Sequence, residues 1–375
     1  ALRTGKDDAE VILYDMMVGG FLTYDSELGL VYLHDKLFNY VESRSNKRDY
    51  DVIEVISSTK QTNAELSLVS LDLTVKGVRE VLLSSANSVK IIPEKQELII
   101  KKNRDMLFGG EVKSGRTEFY GKQFTFDYND FKINLVECDS MRIIAKTVEV
   151  GKPPFVRLGS VFHGVSGNIV IDAPNNKSGM DTTKRKYPIL TSTKKTYVYY
   201  DSRKIQKGAY KRDNFKFIVE PFEMDSLNTF TNNGVGFKGE FISAGIFPSM
   251  KETLTIQEDY SLGFKRKAPK EGISIYGDKA MFDNEIRLSN KGLQGTGAID
   301  FLTSHAVSDE ITFFVDSLTA IAQTYKNEAR DKKPEVPLVI GKDVYVSYIP
   351  KQKVLYASKI KNDLVMFDKG EAKFE

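Results

Sequence analysis

The sequence predicts an all-β fold in which short strands stack into an elongated array with little helix. Apolar and polar residues alternate with a period of two in short runs along most of the chain, which is the pattern of half-buried strands. The chain contains 23 Phe and 18 Tyr, and aromatic residues favour strands. An extended run, a turn and another extended run recur loosely, which indicates units that bury each other's faces as the coils of a β-solenoid do.

The clearest series of strands occupies residues 117–137. Phe131, Ile133 and Leu135 alternate there with polar residues, and Gly121 is predicted as a break between strands. The same alternation predicts strands in eight further segments: 64–77, 87–102, 166–173, 196–205, 214–222, 273–288, 310–318 and 343–360. Tight turns should therefore join strands along most of the chain.

The sequence indicates helices and domain boundaries less clearly than strands. Residues 7–17 and 317–328 are the best helix candidates, although both are short and lack strong caps. Three β units are predicted, at residues 1–147, 148–268 and 269–375, with the Pro-containing "GKPPF" near the start of the second. We expect them to form one continuous stacked array, and the chain to be a fragment of a longer protein.

The charge balance argues against nucleic acid as a partner. The chain has 54 Lys and Arg against 51 Asp and Glu, so no strong field gathers a polyanion or an anionic membrane. No run of 18 or more apolar residues occurs, so no transmembrane helix is expected. No signal peptide is evident, so we expect that any targeting signal has been removed from this chain.

Cysteine and histidine usage gives little support to a metal site. Cys138 is the only cysteine, which excludes an internal disulfide and any CxxC-type zinc site. His34, His163 and His305 lie far apart in the sequence, so carboxylates would have to supply most ligands of a metal. We expect neither a metal nor a cofactor.

The segment "GLQGTGAIDF" at residues 292–301 has the glycine density of a nucleotide-binding loop. A dinucleotide fingerprint needs a helix after the glycines, because the phosphates bind its N-terminal amides. Here Asp300 stands where the third glycine would be, and the residues that follow alternate like a strand. The glycines are therefore predicted to be turn residues between two strands.

Two segments hold the candidate ligand or partner residues. His163, Asp172, Asn175 and Asn176 could converge as oxygen and nitrogen ligands, although the composition of "DAPNNKSG" is more typical of a turn that closes a strand. The second set comes from "TYVYYDSRK" and could stack on sugar rings, although tyrosines at this alternating spacing are more often half core and half cross-strand ladder. Its members are Tyr197, Tyr199, Tyr200 and Arg203.

No catalytic residue can be assigned from the sequence. Pairs such as Asp283 with Glu285 contain the acid and base groups of a glycosidase. Most carboxylates are nevertheless expected on solvated strand faces. No GxSxG, HExxH or GxxxxGK[ST] motif occurs, and a non-enzymatic protein is predicted.

Four segments resemble large, uncharacterised strand-repeat proteins of the Gram-negative cell envelope: residues 102–135, 197–217, 241–264 and 284–304. The resemblance implies a segment of a longer repetitive envelope protein, in the periplasm or at the cell surface, and brings no catalytic residues. The segment "FGGEVKSGRTEFYGKQFTFDY" is also similar to one rung of the β-taco or β-jellyroll segments of lipid-bridge proteins. That second resemblance implies stacked antiparallel strands around an apolar interior.

The predicted function is a structural or interaction segment of a bacterial envelope or surface protein. Its expected partners are other envelope proteins or further segments of the same chain, with lipid or glycan as further candidates. One alternative is a lipid-carrying groove or bridge, which requires an unfilled apolar interior. The second alternative is a carbohydrate-active β-helix enzyme, which requires two or three carboxylates or basic groups clustered on one exposed face.

Overall fold

Strands dominate the computed structural model, which describes residues 6–45, 47, 49, 53–183, 186–328, 338–360, 365–367 and 371–372. Within these residues there are two α-helices, α1 (Lys6–Val18) and α2 (Asp35–Arg44). Neither helix is long and apolar enough to cross a membrane. The predicted all-β fold with little helix is confirmed.

The strands are short, and most are followed by a turn. The first group is β1 (Leu22–Asp25), β2 (Leu30–Leu33), β3 (Ala64–Leu66), β4 (Leu73–Lys76), β5 (Val81–Ser84), β6 (Val89–Pro93), β7 (Glu97–Ile100), β8 (Met106–Ser114), β9 (Thr117–Asp127), β10 (Lys132–Cys138) and β11 (Ser140–Lys146). The second is β12 (Phe155–Arg157), β13 (Phe162–His163), β14 (Val165–Val170), β15 (Ile189–Ser192), β16 (Thr196–Tyr199), β17 (Phe215–Val219), β18 (Glu223–Met224), β19 (Gly236–Ser243), β20 (Met250–Ile256), β21 (Leu262–Lys267) and β22 (Ile273–Ile275). The third is β23 (Ala280–Phe282), β24 (Glu285–Ser289), β25 (Gly292–Phe301), β26 (Ser304–Phe313), β27 (Leu318–Ala322), β28 (Thr324–Asn327), β29 (Leu338–Gly341), β30 (Val344–Ile349), β31 (Val354–Lys359), β32 (Val365–Phe367) and β33 (Glu371–Ala372).

The helix predictions were half right. Helix α1 confirms the candidate at residues 7–17, whereas residues 317–328 form β27 and β28. The alternate residues Leu318, Ala320 and Ala322 are buried there, so the period-two burial of a sheet outweighed the helix propensity of alanine. Helix α2 was missed, although Asp35 in its first turn and Arg44 in its last suit the helix dipole.

Hydrogen bonds join most of the strands into three ladders, whereas β1 pairs only with β2 and β12 only with β11. The first ladder is β3–β4–β7–β8–β9–β10–β14–β15–β18. The second ladder is β5–β6–β8–β9–β11–β13–β16–β17–β19–β20–β21–β24–β25–β26–β27–β30–β31. The third ladder is β22–β23–β25–β26–β28–β29–β32–β33. All of these pairings are antiparallel.

The antiparallel pairing does not support the β-solenoid form of the prediction, because the coils of a parallel β-helix stack in parallel. The elongated form of the array stays a prediction.

Four long strands belong to two ladders each. Strands β8 and β9 pass between the first and second ladders, and they are called the first crossing below. Strands β25 and β26 pass between the second and third ladders and are the second crossing. Gly121 lies inside β9, so its prediction as a break between strands was wrong. The glycine instead marks the place where β9 changes ladder.

The glycines of "GLQGTGAIDF" fall at one turn and one crossing. Gly292 follows the turn between β24 and β25, as predicted, but Gly295 and Gly297 lie inside β25. A Cβ atom at Gly295 would lie 2.8 Å from ring atoms of both Phe282 and Phe313. The turn prediction was thus wrong for these two glycines, which allow close packing where β25 changes ladder.

The core lies between the ladders and is filled by side chains. The ring centroid of Phe162, in the second ladder, lies 6.2 Å from that of Phe222, which lies beside the first ladder. Phe301 of the third ladder lies 4.2 Å from Tyr348 of the second. Phe162, Phe301 and Tyr348 belong to one hydrophobic cluster that extends from Val75 to Tyr348, and the partly buried Phe222 packs against it.

The ladders continue across both predicted unit boundaries. Strand β11 pairs with β13 across residues 147 and 148, and β21 pairs with β24 across residues 268 and 269. Hydrogen bonding alone therefore does not separate the three units, which stay a prediction.

Candidate functional site

The exposed side of the second ladder gathers aromatic and charged side chains, and we call this surface the tyrosine face. Its members are Tyr120, Arg142, His163, Tyr197, Tyr199, Arg212 and Lys216. All of them are half-buried except Arg212, which is exposed. The face includes three of the residues that the sequence singled out.

Strand register places these residues in a row. His163 lies opposite Tyr197, and Tyr120 lies opposite Ser140. Because Met141 pairs with Phe162, Ser140 is next to His163 across β11 and β13. Neighbouring strands are about 4.8 Å apart, so the row from β9 to β16 covers three such steps.

The alternation of the sequence turns this row outward. Phe119, Met141, Phe162 and Val198 are fully buried. They are adjacent in sequence to Tyr120, Ser140, His163 and Tyr197, respectively, which form the row. Since successive side chains of a strand point to opposite sides, burial of these four exposes the polar and tyrosine positions beside them.

The rings of Tyr197 and Tyr199 form the centre of the face. Their centroids are 6.1 Å apart and their planes differ by 11°. The His163 ring lies 5.2 Å from the Tyr199 ring. The Arg212 guanidinium lies 4.6 Å from the centroid of Tyr199, and the Lys216 ammonium lies 5.8 Å from that of Tyr197. These distances are typical of cation–π contacts.

His163 is held as a neutral ring. Its Nδ1 lies 2.9 Å from the backbone carbonyl oxygen of Asp139, so Nδ1 carries the proton and donates. Burial lowers the pKa of His163 below its usual value, and the hydrogen bond to Asp139 offsets this only in part. At neutral pH the ring therefore presents Nε2 as an acceptor.

Tyr120 ends the row between two glutamates. Its hydroxyl donates to Glu111 Oε1 at 3.0 Å and lies 3.4 Å from Glu118 Oε2. Burial raises the pKa of Tyr120 to about 12, and the hydrogen bond to Glu111 adds to the rise. The nearly buried Glu118 is bound by Arg157 at 2.8 Å. Tyr120 thus stays protonated at neutral pH and is suited to bind rather than to attack.

An open cleft of about 470 Å³ adjoins this end of the row. Arg79, Glu94, Glu111, Lys122 and Asp139 are among its lining residues, together with the Tyr120 ring. A second open cleft, of about 510 Å³, shares Glu94 and Lys122 with the first. Both clefts flank the first crossing.

Asp172 and Asn176 lie in a turn after β14, which belongs to the first ladder. Asp172 accepts hydrogen bonds from the side-chain amide of Asn87 at 2.6 Å and from that of Asn176 at 3.1 Å. Asn176 also donates to the backbone oxygen of Asp181. The exposed Asn175 belongs to the same turn. The turn is held together by its own side chains, and His163 bonds to Asp139 and not to this group.

Two residues of the tyrosine segment lie apart from the face. Tyr200 is fully buried and its hydroxyl donates to the Leu262 backbone oxygen at 3.0 Å. Tyr200 stands an odd number of residues from Tyr197 and from Tyr199, so strand alternation places its side chain on the opposite side of the sheet. This alternation could have predicted that Tyr200 is buried. Arg203 is exposed in the turn after β16.

Sequence reasoning missed Tyr120, Arg142, Arg212 and Lys216. Alternation beside the buried Phe119 marks Tyr120 as an outward position, but its proximity to His163 depends on pairing between strands distant in sequence. Only the register between the paired strands shows that these residues lie together.

Other chemistry-bearing groups are engaged locally. Asp283 accepts a hydrogen bond from the Ala298 amide at 2.6 Å, and Glu285 lies 3.7 Å from Arg287. Burial raises the pKa of the Cys138 thiol to about 12, so it is not a thiolate at neutral pH. In the part of the chain that the structure describes, no cluster of three or more His, Cys, Asp or Glu could hold a metal ion.

Comparisons with protein-family models, with curated proteins and with solved structures each gave no match. The chemistry of the site therefore rests on its own geometry. The tyrosine face offers ring surfaces, fixed cations and hydrogen-bonding groups to a ligand that lies along the sheet.

Proposed function

We propose that this chain is a non-enzymatic structural or interaction segment of a bacterial envelope or surface protein. The observation that carries the proposal is the contrast between its two sides. The interior is filled by packed side chains, whereas the outside of the second ladder presents the tyrosine face. A partner would therefore bind on the outside of the sheet.

The ionisation states of the face support binding over catalysis. Tyr120 has a raised pKa and His163 a lowered one, so both are neutral at neutral pH. Glu118 is held in an ion pair with Arg157. An activated tyrosine nucleophile would need a lowered pKa, whereas burial raises the pKa of Tyr120 and that of Tyr199.

Edge strands give the scaffold role a second kind of contact. Among the described strands, β5 pairs only with β6, and β31 only with β30. An edge strand offers unpaired backbone groups to a further strand. Other envelope proteins, or further segments of the same chain, are the partners that the sequence resemblance implies.

The lipid-carrying alternative has less support. A lipid groove requires apolar surface that is open inside the fold, but Phe162, Phe222 and Phe237 contact one another across the interior with centroid distances of 4.8 to 6.2 Å. Side chains occupy the space that acyl chains would need.

The cleft beside Tyr120 keeps a carbohydrate-active enzyme as a second candidate. Glu94, Glu111 and Asp139 line it together, and carboxylates in a cleft are the groups that glycoside hydrolysis requires. In an enzyme, Glu111→Gln would abolish turnover. In a binding scaffold, no turnover exists to be lost.

Native mass spectrometry with organic extraction tests the proposal on protein purified from its own host. We expect a stoichiometric protein or glycan and no stoichiometric lipid. Stoichiometric lipid would replace the proposal with the carrier. Turnover of a glycan, peptide or lipid ester that Glu111→Gln abolishes would replace it with the enzyme.

A further inference from the structure

We propose that the tyrosine face binds a neutral, hydroxyl-rich polysaccharide that lies across the strands of the second ladder. This inference rests on the proposed function and names the class of partner. It follows from the ring geometry, from the charge balance of the face and from the cleft at its end.

The rings lie at intervals that suit a linear polymer. Tyr120, His163 and Tyr197 belong to one row, in which neighbouring strands are about 4.8 Å apart. Tyr197 is one strand from His163, whereas Tyr120 is two strands from it, with Ser140 between them. One and two strand spacings are of the same order as the lengths of one and two sugar rings. Half-buried rings fixed by a sheet lose little freedom on binding, so successive sugars would meet surfaces already in place.

Cations and carboxylates are mixed on and beside the face. Arg212 lies 2.8 Å from Asp201, and beside the face Arg157 lies 2.8 Å from Glu118 and Lys113 lies 3.3 Å from Glu111. Arg142 and Lys216 instead lie over the rings of Tyr120 and Tyr197, at 6.0 and 5.8 Å from the centroids. A polyanion would meet carboxylates as well as cations. Neutral hydroxyl groups both donate and accept, so they can bond to carboxylate and guanidinium groups side by side.

The composition of the face suits a sugar polymer better than a protein. The centre of a protein interface is apolar and depleted in charged residues. The strongly exposed hydrophobic side chains, such as Val148 and Val150, lie elsewhere in the described chain, and none of them belongs to the face. The face instead combines tyrosine rings with charged groups.

The cleft gives the polymer a place to enter the row. Glu111 lies opposite Tyr120, which ends the row, and both residues line the cleft, so one ligand can contact the row and the cleft. Arg79, Lys122 and Asp139 provide further donors and acceptors there. We infer that the polymer runs from this cleft across His163 to Tyr197.

Affinity electrophoresis of the 375-residue chain tests the inference. Native gels would contain laminarin, dextran, xylan, galactomannan or a neutral cellulose ether, with alginate as the anionic polymer. The variants are Tyr197→Ala with Tyr199→Ala, and Tyr199→Phe, which keeps the ring. Tyr345→Ala is the matched control, because Tyr345 is exposed on β30 outside the face. Circular dichroism and Tm confirm that each variant folds.

We expect at least one neutral polymer to slow the chain. The double variant should bind about tenfold more weakly, while Tyr199→Phe and Tyr345→Ala bind as the unaltered chain does. Absence of retardation by every neutral polymer, or equal retardation of the double variant, overturns the inference. Retardation by alginate alone, lost in salt, overturns it in favour of a polyanion. A stoichiometric protein partner in native mass spectrometry, without polysaccharide binding, overturns it and leaves the proposed function standing.

Discussion

Gly110 of the first crossing and Gly295 of the second are glycine for different reasons. A Cβ atom on Gly110 would overlap the backbone oxygen of Ile92, whereas Gly295 faces the rings of Phe282 and Phe313. Each crossing also has a glycine of the other kind, since Gly121 faces the Phe124 ring and Gly297 faces the backbone oxygen of Asp283. Backbone held in a ladder cannot move, but rings in a core can shift.

The surroundings of Gly110 and Gly295 differ as well. Open clefts of about 510 and 470 Å³ border the first crossing, and Glu111 and Tyr120 lie on its strands. Beside Gly295, Phe247, Phe282 and Phe313 pack with centroid distances of 5.0 to 6.0 Å. The first crossing thus has a polar surface beside Gly110, and the second has an aromatic core beside Gly295.

Gly110→Ala should have the largest effect. Its φ is +131°, which L side chains rarely adopt, and the new Cβ atom would overlap backbone. We expect the free energy of unfolding in urea to fall by about 3 kcal/mol or more. Gly164→Ala is the control, since Gly164 also has a positive φ but no neighbour within 4 Å of the new atom. A loss no larger than that of the control would refute a backbone-limited crossing.

Gly295→Ala should have a smaller effect, because rings can shift. We expect a loss of about 2 kcal/mol, as for an overpacked core. Phe313→Leu removes one of the two rings beside the new Cβ atom. Combined with Gly295→Ala, it should cost less than the sum of the two single changes by about 1 kcal/mol in a double-mutant cycle. Strict additivity would show that the ring does not limit this position.

Tyr120→Phe tests the outside of the first crossing and should have the smallest effect. It removes the hydrogen bond to Glu111, at a cost of about 1 kcal/mol. Folding raises the pKa of Tyr120 from 10.0 to about 12. The stabilisation is therefore complete below pH 10 and is lost as the pH rises toward 12.

Urea denaturation between neutral pH and pH 11 measures this loss. The Tyr120→Phe variant should lose less stability above pH 10 than the unaltered chain, and Tyr345→Phe should follow the unaltered chain. Identical profiles for all three proteins would show that Tyr120 does not titrate as its surroundings imply.

Local pattern predicted most of the strands but none of the crossings. The alternation of Ile133 and Leu135 depends on neighbours in sequence and was confirmed in β10, whereas the buried Phe131 lies in the turn before this strand. In β9, Phe119 pairs with Met141 and Phe124 with Leu135. Strand β9 thus pairs with two different strands, β10 and β11. The alternation of apolar and polar residues within β9 does not show which strands it pairs with.

The candidate site shows the same limit. Tyr197 and Tyr199 were singled out as members of a tyrosine-rich segment that could stack on sugar rings. Tyr120 and Arg142 join them only through the pairing of β9, β11, β13 and β16. Tyr200 was grouped with them by sequence proximity, although its parity sends it into the core.

Sharing of β8 and β9 between two ladders has a consequence for length variation in this chain. A one-residue insertion in an ordinary edge strand flips the side chains of that strand alone. The same insertion in β9 would shift its pairing with β10 and with β11 at once, and so would invert parts of both ladders. Insertions and deletions should therefore accumulate in the turns, and the lengths of the crossing strands should stay constant.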